Sequence, residues 1–346
     1  MILRVCAFTE RGWRLVDRLE AVAPDEIVER RADETLNEWV GESFAARMPV
    51  LFVGACGIAV RAIAPFVKDK TLDSPVVVID EFGRFVIPLL SGHCGGANRL
   101  AEQLACKLGA TCVTTTATDV NALFAVDVFA SENALRVCNP GGIVKVSSKI
   151  LRGAAIDVAV EPGISLPDEE VPSEIRLREF PPTTRVDVLI AESPETYDVE
   201  ASLRLSPKPF VLGIGCKKGT SAETIKRLAL EGLATLGVPE RWDLVAAVAS
   251  VDKKRREYGL VRFASEIGSP FLTYAPEELN KVLGEFTSSK FVCETIGVDN
   301  VCERAATLAA GKGAELVLRK TIGAGATLAI ARRKAVIARW KKRSLS

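Results

Sequence analysis

The sequence predicts an α/β protein, with N-terminal and C-terminal three-layer α/β domains joined by a small loop-rich α/β middle region. Three observations carry this. Short β-rich apolar runs alternate with helical patterns along almost the whole chain. At 346 residues it is too long for one small domain and fits two or three cores. Between residues 161 and 209 prolines thicken and interrupt the alternation.

In order, residues 3–8, 50–53 and 76–79 read as strands, each followed by a polar or helical stretch. Asp80-Glu81-Phe82-Gly83-Arg84 reads as a hairpin-type connection into the apolar run 84–90, so the first sheet need not be purely parallel. A glycine loop follows, then Leu100, Ala101, Leu104, Ala105 and Leu108 at helical spacing before Gly109. These elements make a first domain over 1–123. Residues 124–152 read as helix, an Asn139-Pro140-Gly141-Gly142 break and another helix, opening a middle region over 124–208 with two convincing strands, 156–160 and 186–191. Phe210-Val211-Leu212-Gly213-Ile214-Gly215 starts a third domain over 209–333. A capping-box pattern at Thr220-Ser221-Ala222-Glu223 leads into a helix carrying Ile225, Leu228, Ala229, Leu233 and Leu236. The alternation continues through 244–249, 271–274 and 298–310 to a hairpin around Gly323 and Gly325, and a basic tail over 334–346 reads as a solvated end or a dimer contact.

Composition excludes several classes of function. Lys plus Arg number 45 against 44 Asp plus Glu, so no global field draws the chain to nucleic acid or a membrane. Nine cysteines without a C-x-x-C pair read as reduced thiols of a cytoplasmic protein. With one histidine and no zinc-type spacing, a metal would be carboxylate-bound or arrive chelated within a substrate. Residues 1–8 are too short an apolar run for a signal or a membrane span.

The single histidine, His93, stands in Leu89-Leu90-Ser91-Gly92-His93-Cys94-Gly95-Gly96-Ala97-Asn98, between an apolar strand and an amphipathic helix. Glycines there allow close backbone approach, and a helix N-terminus suits a carboxylate, a phosphate or a developing oxyanion. A tight turn around a hydrogen-bonded histidine explains the glycines equally well. Ser91 is not a nucleophile elbow, because Leu89 and His93 occupy the positions that need glycine. In Gly213-Ile214-Gly215-Cys216-Lys217-Lys218-Gly219-Thr220 the order breaks both phosphate motifs: Lys218 precedes Gly219, and the third glycine falls one place late for a dinucleotide fingerprint. What remains is a strand-end glycine turn whose lysines suit carboxylates, or else a solvated turn. The hydroxyl-rich run 114–121 and the strand end at Ser250 and Asp252 are further candidates.

Gly57-Ile58-Ala59-Val60-Arg61, Lys68-Asp69-Lys70, the His93 run, Thr116-Ala117-Thr118-Asp119-Val120-Asn121 and Phe124-Ala125-Val126-Asp127 resemble the N-terminal part of the CbiG family, the cobalt-precorrin-5A hydrolases of anaerobic cobalamin biosynthesis. The run 213–221, Ser250-Val251-Asp252-Lys253-Lys254, Gly297-Val298-Asp299-Asn300-Val301-Cys302-Glu303 and Ala329-Ile330-Ala331-Arg332 resemble its C-terminal domain, which is similar to the stand-alone protein CobE. The middle region matches only loosely.

The resemblance implies opening of the δ-lactone of cobalt-precorrin-5A and loss of a two-carbon unit as acetaldehyde, giving cobalt-precorrin-5B. His93 suits the general base near neutral pH, with Asp119, Asp80 and Glu81 in reserve, and the N–H groups of residues 95–98 as oxyanion donors. Arg61, Lys217 and Lys218 would hold peripheral carboxylates. Gly57, Ser91, Gly92, Gly95, Gly96, Asn98, Thr116, Asn121, Gly213, Gly215, Thr220, Ser250 and Asp252 would line the substrate site. No cofactor is expected, since the cobalt is carried in the substrate; partners would be cobalt-precorrin-5A, neighbouring pathway enzymes and a second copy of the chain. A non-catalytic corrinoid carrier is the alternative, separated by acetaldehyde release. A nucleotide-dependent enzyme is a third reading, weakened by the broken motifs.

Overall fold

The computed structural model describes residues 2–24, 26–69, 73–93, 95–116, 121, 123–287 and 297–340. The chain divides into two compact units, Met1–Thr114 with Phe210–Arg332, and Thr115–Pro209 with Arg333–Ser346. The first unit contains an N-terminal and a C-terminal module.

In the N-terminal module β1 (Ile2–Ala7), β2 (Ile27–Arg30), β3 (Val50–Val53), β4 (Val76–Ile79), β5 (Phe85–Leu90) and β6 (Thr111–Cys112) form one sheet in the order β2-β1-β3-β4-β5-β6. The first four strands are parallel, β5 is antiparallel to β4, and β6 is parallel to β5. Successive strand residues point to opposite faces. Leu51, Val53, Val77 and Ile79 therefore pack with α1 (Glu10–Val22) and α4 (Ala97–Leu108), while Val50, Phe52, Val76 and Val78 pack with α2 (Leu36–Ala45) and α3 (Cys56–Ile63). Burial on both faces is why these strands read as unbroken apolar runs.

Asp80 makes the expected reversal. Its Oδ1 accepts the N–H groups of Arg84 and Phe85 at 2.8 and 2.7 Å, its Oδ2 accepts that of Phe82, and Gly83 takes a positive φ of 66°. Burial pushes the Asp80 carboxyl up, but the Phe85, Arg84 and Phe82 amides outweigh it and hold the group below the usual carboxylate range.

The second unit has more sheet than its prolines suggest. Strands β7 (Leu135–Val137), β8 (Ile156–Val160), β9 (Ile175–Arg178), β10 (Val186–Ile190) and β11 (Ala201–Pro207) lie in the order β7-β11-β10-β8-β9, with α5 (Val126–Glu132) and α6 (Gly141–Leu151). The segment read as a basic tail completes this core through residue 340. Ile337 and Trp340 are buried among Phe124, Phe129 and Val146, the Trp340 ring stacks on Phe129 at 5.5 Å, and Asn133 Oδ1 accepts the Ala338 and Arg339 N–H groups. Cations flank the apolar run 335–338 and Trp340, so net charge concealed a core segment.

In the C-terminal module β12 (Phe210–Cys216), β13 (Val245–Val251), β14 (Phe271–Tyr274), β15 (Glu315–Gly323) and β16 (Ala326–Arg332) lie in the order β14-β13-β12-β16-β15. The first three are parallel, and β16 is antiparallel to both neighbours. Helices α7 (Ala222–Thr235) and α8 (Tyr258–Glu266) share a core with the sheet, and α9 (Pro276–Asn280) and α10 (Val301–Ala310) complete the module. Ser221, one place later than the capping-box pattern indicates, caps α7 by accepting the Thr224 N–H.

The two modules meet through α8. Val261 packs on Ile2, Ala46 and Met48, the Tyr258 hydroxyl donates to Glu29 Oε2 at 3.2 Å, and Ser265 Oγ donates to the Arg47 carbonyl. Ile2 and Ile27 begin β1 and β2, and Met48 stands two residues before β3. The C-terminal module therefore docks at the N-terminal ends of the parallel strands.

Because Trp340 closes the second unit's core, Trp340→Ala should lower unfolding stability by about 3–5 kcal/mol, and Lys334→Ala by less than about 0.5. Urea denaturation followed by tryptophan fluorescence and circular dichroism measures both. Equal, small effects would show that the segment does not support the core.

Candidate functional site

Register decides which candidate residues can act together. Val76 pairs with Leu90 and Ile79 with Val86, so the loop after β5 lies beside the start of β4, whereas Asp80 and Glu81 follow its end. Six residues of extended β5 separate the two ends by about 17 Å. Glu81 is thus removed from any site that His93 serves. It braces the opposite end, where Thr9 Oγ1 donates to Glu81 Oε1 at 2.7 Å and accepts the Gly12 N–H at the start of α1. Gly57 stands at that far end too, in the first turn of α3 after β3, with Arg61 exposed one turn on.

The His93 loop is closed by its own backbone. Gly96 N–H donates to the His93 carbonyl, Ala97 N–H to that of Ser91 and Asn98 N–H to that of Gly92, at 3.0, 3.1 and 3.0 Å. Three of the amides expected to stabilise an oxyanion are therefore committed, which corrects that expectation. The glycines serve this closure. A Cβ on Gly92 would lie 2.5 Å from Asn98 Oδ1, and one on Gly95 2.5 Å from Ser91 Cβ and 2.8 Å from the Ser91 carbonyl. Gly96 caps α4 in the left-handed region at φ 85°.

Ser91, a non-glycine residue, also has a positive φ, 55°, and its buried Oγ has no hydrogen-bond partner among the described residues. Strain and an unpaired hydroxyl together cost of order 1–3 kcal/mol each and mark the loop as more than a connection. His93 is partly buried, and Asn98 is buried. Beside the loop, Asp73 accepts the Lys68 N–H at 3.0 Å and its carbonyl lies against Gly95. Asp119 and Cys94 lie outside the described residues, and Thr116 and Asn121 belong to the second unit.

The C-terminal module gathers its candidates at the carboxyl ends of β12 and β13, where open α/β sheets place ligands. Lys217 and Lys218 are exposed on a turn in which Lys217 N–H donates to the Gly325 carbonyl and Thr220 Oγ1 donates to that of Lys217 at 2.9 Å each. Asp252 pairs with Arg255 at 3.4 Å.

Three assignments change. Ser250 is fully buried and donates to the Ile214 carbonyl at 2.7 Å, tying β13 to β12 rather than facing a ligand. Gly213 admits α10: a Cβ there would lie 1.9 Å from the Cys302 carbonyl oxygen and 2.7 Å from Ala306 N. Gly215 leaves room for Thr327 Oγ1, 2.8 Å from a built Cβ. Cys216 is no thiolate, since burial pushes its pKa up to about 11.

One side chain at this end, Glu257, went unread in the sequence, and Lys254 stood there only as part of a motif. Glu257 Oε1 accepts the Gly219 N–H at 2.7 Å, and its Oε2 pairs with Lys254 Nζ at 2.9 Å. The contact spans 38 positions and follows no local pattern.

α8 carries this turn to the N-terminal module. Gly259 lies so close to Thr220 that a Cβ would come 2.0 Å from its carbonyl oxygen, while Tyr258 bonds Glu29 within β2 and Val261 touches the N-terminal ends of the parallel strands. The His93 loop lies at that same end of the sheet. His93 and the lysine turn thus belong to one end of the N-terminal sheet, and Glu81 and Gly57 to the other.

Fold and loops together define a two-module α/β protein that presents an imidazole and a lysine-bearing turn at the docked ends of its sheets. Residues 38–119 match the cobalamin synthesis G N-terminal family and residues 210–331 the cobalamin synthesis G C-terminus family. A cobalt-precorrin-5A hydrolase of Salmonella typhimurium is 37% identical over 279 residues, 77% of each chain. One of Priestia megaterium is 32% identical over 296 residues, 80% of this chain and 77% of its own. Protein CobE of a Sinorhizobium species is 34% identical over 123 residues, 35% of this chain and 79% of its own. The chain therefore belongs to the cobalamin synthesis G family and is a hydrolase of cobalamin biosynthesis. Among the described residues no helix is long and apolar enough to cross a membrane.

If Gly213 serves packing, Gly213→Ala should lower unfolding stability by about 1–3 kcal/mol, because its methyl group meets backbone. Denaturant melts check this. A variant as stable as the wild type would return Gly213 to the ligand-contact residues.

Proposed function

We propose that this chain hydrolyses the δ-lactone of cobalt-precorrin-5A and releases acetaldehyde by carbon-carbon cleavage, giving cobalt-precorrin-5B. The observation that carries the reading is the β4–β5 reversal, which brings the His93 loop to the end of the sheet where the C-terminal module docks. The names of the hydrolase relatives from Salmonella typhimurium and Priestia megaterium support the substrate.

His93 takes a proton from water as it adds to the lactone carbonyl. The carbon–oxygen bond of the ring then breaks, leaving a carboxylate and a hydroxyl. Removal of a proton from that hydroxyl expels acetaldehyde as the adjacent carbon-carbon bond opens; its electron pair stays on the macrocycle carbon, which takes up a proton. With the amides of Gly96, Ala97 and Asn98 committed, the Ser91 hydroxyl serves as a donor for the tetrahedral oxygen, being unpaired among the described residues. Lys217 and Lys218 hold peripheral carboxylates, and Arg61, one turn into α3, serves an outlying one. Cobalt enters with the substrate, and the protein contributes no cofactor of its own to this scheme.

His93→Ala should keep binding cobalt-precorrin-5A, seen as the macrocycle's absorbance co-eluting with the protein, and should release acetaldehyde about 10² to 10⁴ times more slowly. A folded variant that turns over at the wild-type rate would remove His93 from the chemistry. Binding by the wild type without any acetaldehyde would identify a carrier instead.

A further inference from the structure

The lysine turn is closed on backbone carbonyls: Lys217 N–H donates to the Gly325 carbonyl, Thr220 N–H to that of Lys217, and the Thr220 hydroxyl is shared between the Lys217 and Gly325 carbonyls. At its tip the arrangement differs: Gly219 N–H donates to a carboxylate, Glu257 Oε1, at 2.7 Å. An ionised acceptor makes a shorter and stronger bond than a carbonyl. The Glu257 and Lys254 side chains are only 10% and 15% exposed, so water competes little for either.

We propose that Glu257 is a positioning residue for substrate binding: it fixes the Gly219 amide and thereby sets where the Lys217 and Lys218 ammonium groups meet the carboxylates of the macrocycle. This rests on reading those lysines as the carboxylate-binding pair. Lys254 offsets the negative charge that Glu257 would otherwise present to a polyanion. Glu257 is also the N-cap residue of α8, immediately before Tyr258, whose hydroxyl reaches Glu29; Glu29 in turn lies 3.1 Å from Arg4 Nε in β1. The position of the lysine turn is thus referred to the N-terminal sheet, at the end where His93 lies.

Two substitutions separate reach from charge. Glu257→Asp keeps the charge but falls a methylene short of Gly219; Glu257→Gln keeps an oxygen acceptor at full reach and loses the charge. Affinity for cobalt-precorrin-5A, followed by macrocycle absorbance, and acetaldehyde release are measured for both. The Asp variant should bind about tenfold more weakly, the loss of one such bond, with kcat within about twofold. The Gln variant should stay within about threefold of wild-type affinity. In a Lys217→Ala/Lys218→Ala background the Asp substitution should add almost nothing, as expected for residues that act as one unit.

An Asp variant that binds like the wild type, a Gln variant as weak as Asp, or full additivity with the lysine substitutions would overturn the role of Glu257. A wild type that binds but releases no acetaldehyde would refute the hydrolase reading while the affinity comparison still judges Glu257. A wild type that does not bind cobalt-precorrin-5A would refute both.

Discussion

Asp80 gathers three backbone amides into one carboxylate, and the direction of everything after it in the N-terminal module follows from that turn. Had β4 been followed by another parallel crossover, the next strand would have ended beside Thr9 and Gly57, the usual crevice of an open α/β sheet. The reversal instead delivers Ser91 and His93 beside Asp73, at the N-terminal ends of the parallel strands. The Asp80–Arg84 turn immediately before β5 therefore decides which end of the sheet carries the imidazole.

That end is also where α8 docks, and the two facts together give the site its composition. Val261 supplies apolar contact, and Tyr258 bonds Glu29, a residue that also pairs with the buried Arg4. The same helix turn holds Gly219 through Glu257. Burial makes these polar contacts mutually dependent, since removing one partner leaves the other desolvated without compensation. The lysines themselves stay exposed on a braced turn, an arrangement suited to meeting a ligand with several carboxylates.

Much of the fold was legible because it rests on local signals. The two-faced burial of β1, β3 and β4 shows as continuous apolar runs, and the Asp80–Arg84 turn as a polar, glycine-containing break. In the middle region, alternation at Leu203 and Leu205 is present but masked by nearby prolines, and Ile337 and Trp340 were hidden among cations. The site was legible as loops and not as contacts. Gly213 and Ser250 stood in the right motifs for ligand contact, yet one yields to a helix and the other to a neighbouring strand, partners no single sequence displays. The glycines of the His93 loop signalled close approach correctly, but much of what approaches is the loop's own backbone. Glu257 carries no motif at all, because its value lies in a contact made only after β12 and α8 have packed.

The His93 loop and the lysine turn act at one end of the N-terminal sheet, and Glu81 stands at the other. A crystal structure of the enzyme with a bound cobalt corrinoid tests it most directly. The macrocycle should contact residues 91–93 or 95–98 on one side and Lys217 or Lys218 on the other, with Glu81 more than about 10 Å away, as the length of β5 requires. A macrocycle seated instead against Glu81, Thr9 and Gly57, with His93 remote from it, would place the chemistry at the opposite end of the sheet and remove His93 from it.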